Sequence, residues 1–352
     1  MPYPIYGRNI MPNHHDYLRD NMGDSFNKEN TSESIRLEWI DSSRGIGIII
    51  VVFVHVMMNL QDSRIVNGGE FYQFVIFILR SFPMQVFMFL AGLFVRPRIE
   101  RGVVAFLRPM GLTLVWPYLL WGTLILIAEW LGKNVRNPVD TSVVDITLLW
   151  TPIAWLWFLW ALVAYHLIAA MIGRFPLVMI ALGLITLVGD ALLSLPPFCH
   201  LLAHLFIFYA IAVAYGPMLV RYTVPSVIGA GAALLLIPLS WWAKSVEPDP
   251  FSFVATGAAI SGTIATIAAA QAFRSNTVLN FLGRHSMPIY ISHIFFIAAA
   301  RIAILRMIGV YAPFVLFPVC LVFGFCGPLF LFWVAERTNM VAVGGFGRPV
   351  RR

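Results

Sequence analysis

The sequence predicts an all-α polytopic membrane protein of about ten transmembrane helices, with its N-terminus and C-terminus cytoplasmic. Three observations carry this. Only 12% of the 352 residues are charged, where a soluble domain carries about a quarter; 59% are apolar and the mean hydropathy is +0.80. Apolar runs of about twenty residues, the length that crosses a bilayer, recur along the chain. Basic residues gather on alternate connections. The charge deficit excludes a disordered chain, a disulfide scaffold and most soluble enzymes. Cys199, Cys320 and Cys326 lie within apolar runs and read as small packing residues.

Residues 1–36 form a polar tail rich in Asn, Asp and Ser, expected to be flexible; it is not a secretory signal, because the first apolar run comes only after it. The apolar runs lie near 43–61, 72–95, 104–131, 147–171, 176–195, 200–220, 224–243, 252–273, 281–304 and 311–334. They define one transmembrane domain over 37–335, and a short basic tail follows at 336–352. Pro83, Pro117, Pro288 and Pro318 interrupt runs, which membrane helices tolerate when neighbours satisfy the freed backbone groups. With both termini inside, 17 of the 24 Lys and Arg fall on the inner side. The net charge of +7 thus reports topology before it reports a partner, and nucleic acid is not implied.

Ionisable residues within spans are costly and are functional candidates. Arg44 and His55 are eleven residues apart, about three helical turns, so they share a face with about 16.5 Å of rise between them. Arg44 then sits at the cytoplasmic edge and His55 near the midplane. Asp41, three residues before Arg44, shares the face and can pair with it. Arg44 also reads as an ordinary snorkelling arginine, and His55 as an interhelical hydrogen-bond partner. A histidine in apolar surroundings stays neutral and can take a proton, as a general base must. In the ninth run, Ser286, Tyr290 and His293 recur at i, i+4 and i+7 as one polar stripe. His293 lies nine residues past Arg284, about 13.5 Å deep and close to the level of His55. The stripe serves either a cavity or helix–helix adhesion.

Between the second and third runs, Arg98 and Arg101 stand three apart in Arg96-Pro97-Arg98-Ile99-Glu100-Arg101. On a helical turn they present two guanidinium groups on one side, suited to phosphate oxygens or simply to topology. Other features carry less. His200 and His204 are spaced as a metal pair, but no further ligand completes a site, so no metal is expected. Trp155-Leu156-Trp157-Phe158 reads as an interfacial aromatic belt, and Asp190 as a wet helix end. Phosphate loops, nucleotide-binding glycine fingerprints and GxSxG elbows are absent.

Three segments together resemble the acyltransferase-3 family of membrane acyltransferases. Asp41-Ser42-Ser43-Arg44-Gly45 leading to His55 is similar to its Arg-x10-His signature. Arg98-Ile99-Glu100-Arg101 is similar to its Arg-x-x-Arg element. Gly283…Ser286…Tyr290…His293 is similar to its Gly-x-x-Ser…Tyr-x-x-His pattern. Phe89-Leu90-Ala91-Gly92 resembles a further element with Ala91 in place of the usual Ser, and Trp157-Phe158-Leu159 resembles another. The resemblance spans residues 36 to about 335 with the motifs in order.

The resemblance implies transfer of an acetyl or other short acyl group from acyl-CoA to a hydroxyl of an exopolysaccharide, a lipopolysaccharide or a lipid-linked sugar, in the cytoplasmic (inner) membrane. It implies His55 as base with Arg44 as companion, Arg98 and Arg101 as donor-phosphate contacts, and Asp41, Ser286, Tyr290 and His293 as lining. Acyl-CoA is then a donor substrate, with no tightly bound cofactor, and anionic membrane lipids are the other partners of the basic face. No outer hydrolase-like domain is expected. The rival reading is a transporter or flippase for a lipid-linked or small anionic substrate with no covalent chemistry, which predicts inverted repeats and paired broken helices; neither is evident.

Overall fold

The computed structural model describes residues 14–132, 154–193, 195–309 and 311–347. Among them the chain is helical throughout, with no strand. Eight segments are long and apolar enough to cross a membrane. The remaining two expected spans are helices too, but shorter: α7 (Trp157–Ile172, 16 residues) and α11 (Thr256–Ala272, 17 residues). The part of the fourth run before residue 154 lies outside the described residues.

Local sequence sets the breaks. The second span is α2 (Glu70–Arg80), α3 (Pro83–Gly92) and α4 (Val95–Glu100) in series. It bends where Pro83, which lacks an amide hydrogen, opens α3, and the Ser81 hydroxyl donates to the Ile78 carbonyl at 2.8 Å. The third joins α5 (Val103–Leu107) to α6 (Trp116–Gly132) through a π-helical turn at Gly111–Val115, following Pro109. The ninth run, read as one helix, is α12 (Thr277–Arg284) and α13 (Ser286–Ala303), broken at His285. Asn276 caps α12 by accepting from the amides of Val278 and Leu279, each at 3.0 Å.

α1 (His14–Asp62) is the hub, touching α2, α3, α11, α12, α13 and α14 (Pro313–Arg337). α9 (Pro197–Leu219) packs between α3 and α8 (Pro176–Leu193), while α10 (Ser226–Val246) lies on α11. α8, α10 and α14 leave Ile185, Leu192, Val227, Leu234, Phe314 and Phe330 exposed. Such bands of bare apolar side chains are what lipid covers.

The α1–α12 seam fixes how the first span meets the ninth. A methyl group on Gly45 would strike the Leu279 carbonyl, and one on Gly283 would strike the Asp41 carbonyl. The two helices therefore approach backbone to backbone, as small residues permit in membranes. The buried Ser42 hydroxyl locks the seam by donating to Asn280 Oδ1 at 2.7 Å. Beyond α14 the chain turns back onto α6: the Trp116 and Trp121 indoles donate to the carbonyls of Val343 and Gly344, and Val341 and Phe346 are buried.

Candidate active site

His55 lies on α1 eleven residues past Arg44 and seven before the helix end at Asp62. His293 lies on α13, fully buried. The seam that aligns α1 with the start of the ninth run brings the rings edge to face, centroids 5.0 Å apart at 73°. Each ring spends its Nδ1–H on its own helix: His55 donates to the Val51 carbonyl at 2.7 Å, and His293 to those of Ile289 and Tyr290 at 2.9 and 2.8 Å. Carbonyls only accept, so both rings carry their hydrogen on Nδ1 and keep a lone pair on Nε2. His293 Nε2 is buried without a partner among the described residues. Two neighbouring acceptors of this kind suit a donor such as a hydroxyl.

The walls are aromatic. Tyr290 stacks edge-on with Phe158 at 5.5 Å, and Phe158 with Phe87 at 5.9 Å. The Tyr290 hydroxyl donates to the Trp155 carbonyl and so fixes the turn that starts α7. The tryptophan run is therefore not a lipid-facing belt: Leu156 and Phe158 are buried, and Trp155 and Trp157 pack against the core. The fold draws this segment inward because Tyr290 needs an acceptor away from water. Ser286 stays at the start of α13, seven residues and about 10 Å from His293.

The arginines occupy the other end of α1. Arg44 Nη1 lies 3.7 Å from Asp41 Oδ1, with side chains 38% and 30% exposed, a loose pair of small energetic worth. Arg284 acts electrostatically on Asp41, and Arg98 on Arg44. Around Arg98 the other arginines are engaged: Arg96 pairs with Glu100 at 3.1 Å and reaches the Ala214 carbonyl, while Arg174 donates to the Ile99 carbonyl at 3.3 Å. Arg98 and Arg101 are exposed and make no hydrogen bond or ion pair among the described residues. Both guanidinium groups are open to an anion.

Sequence reading missed His166. It sits half-buried on α7, stacked flat on Phe106 at 5.2 Å, with its Nδ1 2.8 Å from the Leu162 carbonyl and 3.5 Å from the Tyr209 hydroxyl. Arg98 acts on it electrostatically. The same signal that marks His55, a histidine inside an apolar helix, marks it in the sequence.

At the Asp62 end the sequence-based reading needs correcting. Asp190 is only 3% exposed, not wet, because α9 packs on α8 and sets His200 against it. His200 donates from Nδ1 to Asp190 at 2.6 Å, and its Nε2 lies 3.1 Å from Asp249. His204 turns instead to Gln85, so the two histidines do not converge.

The motifs thus meet as a helical bundle with a histidine pair in its core and open arginines at one end. The model of the acyltransferase-3 family, an acyltransferase domain, matches residues 37–333. No curated protein and no solved structure matches the chain. Matched over nearly its whole length, the chain belongs to the acyltransferase-3 family of multi-pass membrane acyltransferases.

Proposed function

We propose that the protein transfers an acetyl or other short acyl group from acyl-CoA to a hydroxyl of a carbohydrate acceptor, with His55 as general base. The observation that supports this is the His55–His293 pair, each ring with an Nε2 lone pair, about 16.5 Å of helix below Arg44 and the open Arg98 and Arg101. The donor's phosphates dock on Arg98 and Arg101 by charge-assisted hydrogen bonds, and its pantetheine arm extends inward to the rings. His55 Nε2 takes the proton of the acceptor hydroxyl as its oxygen attacks the thioester carbonyl. The tetrahedral centre collapses, the C–S bond breaks, and the imidazolium returns the proton to the CoA thiolate. His293, whose ring packs edge to face on that of His55, holds the hydroxyl in line. In this reading the arginine end is cytoplasmic, where acyl-CoA is made, and the acceptor is an exopolysaccharide, a lipopolysaccharide or a lipid-linked sugar at the inner membrane.

The donor site has its own test. The double variant Arg98→Ala with Arg101→Ala raises KM for acetyl-CoA about tenfold or more, since each lost charged contact is worth about 1.5–3 kcal/mol, and changes kcat far less. An unchanged KM removes the pair from the donor site.

A further inference from the structure

Three helix histidines, His55, His166 and His293, donate Nδ1–H to the carbonyl four residues back. His204 does not. It is fully buried on α9, and its Nδ1 has no partner among the described residues. Its Nε2 lies 3.3 Å from the Nε2 amide of Gln85, equally buried at the start of α3. The amide donates, so His204 carries its hydrogen on Nδ1. His204 Nδ1–H and Gln85 Oε1 are then the two atoms of the pair with no partner at all among the described residues. An apolar pair in their place would be more stable, and unsatisfied polar groups of this kind mark functional sites.

The place suits a ligand of the proposed reaction. His204 is seven residues from the start of α9 and His55 seven from the end of α1, each about 10 Å from the end of its helix. Contacts tie those two helix ends to one face of the bundle: Lys244 to Glu70 at 3.2 Å and His200 to Asp249. Phe251 roofs His204 at 6.2 Å and touches Trp157 at 6.3 Å. From there Trp157, Phe158, Tyr290 and His293 run ring to ring into the histidine pair.

Resting on the acyltransferase mechanism, we propose that Gln85 and His204 form a subsite for two hydroxyls of a polyol acceptor, admitted from the Asp62 end beneath the Asp249–Phe251 segment. Separate hydroxyls of one polyol suit the two groups, one accepting from His204 Nδ1–H and another donating to Gln85 Oε1. Donor and acceptor then reach His55 from opposite ends of the bundle, and neither blocks the other.

The test uses Gln85→Leu and His204→Phe, which fill the space without polar groups. In membranes supplied with radiolabelled acetyl-CoA, each lowers transfer to the endogenous acceptor at least tenfold. KM for acetyl-CoA stays within twofold, and the thermal midpoint is unchanged or raised. Transfer within twofold of wild type overturns the proposal and leaves the two groups to structural water only. Should either variant fail to fold, Gln85→Cys in a chain with Cys199, Cys320 and Cys326 replaced by Ala reads the access route. A membrane-impermeant charged thiol reagent modifies it from the face opposite to acetyl-CoA, and reaction from the acetyl-CoA face alone, or none, overturns the proposal. His55→Ala separates the two ideas: if it retains transfer, the acyltransferase mechanism fails; if it loses transfer while Gln85→Leu keeps it, only the subsite does.

Discussion

Replacing His55 by Ala lowers acyl transfer about 10²–10⁴-fold, the loss expected when a general base is removed. The protein still folds and inserts. The ring is only half-buried, and its one hydrogen bond goes to the Val51 carbonyl of its own helix, so truncation strands no distant partner. His55→Gln, which keeps bulk but not basicity, falls as far, because what the reaction needs is a lone pair that accepts and then returns a proton. Initial rates of radiolabelled acetyl transfer in membranes carrying equal amounts of each protein decide it. A His55→Ala rate within twofold of wild type removes the base from the mechanism.

Gly283→Ala is expected to do comparable damage by a different route. In an open helical position, alanine stabilises relative to glycine by roughly 0.5–1 kcal/mol. Here the sign reverses, because the new methyl group meets the backbone carbonyl of Asp41, which cannot swing aside as a side chain would. Overpacking of this kind costs about 1–3 kcal/mol, with rigid backbone at the upper end. Parting the seam also breaks the Ser42–Asn280 bond and shifts α13 with its His293 relative to His55. Gly231→Ala is the control: it is a glycine of α10 with nothing within 4 Å of the added group. Thermal midpoints should fall for the first and hold or rise for the second. Equal midpoints contradict the seam.

Depth along a helix was legible in the sequence; adjacency between helices was not. Eleven residues from Arg44 and nine from Arg284 set two histidines at one level, because rise per residue is fixed by helix geometry. The 5.0 Å between their rings depends instead on the glycines that let α12 close on α1, a contact across more than two hundred residues. Asp190 failed as a wet helix end for the same reason: His200 of α9 meets it from outside its own helix. The break at His285 escaped notice because apolar periodicity runs on through α12 and α13. His166 and the Gln85–His204 pair acquire meaning only from partners on other helices, which no one-dimensional spacing records.

Covalent transfer at the histidine pair releases a thiol, which transport does not. Purified protein in liposomes made with the source membrane's lipid extract, given radiolabelled acetyl-CoA, should release one free CoA thiol for each acetyl group transferred to the extract. The same liposomes with His55→Ala should release none above background. Movement of label or acceptor across the bilayer without thiol release, or thiol release undiminished in His55→Ala, contradicts the account.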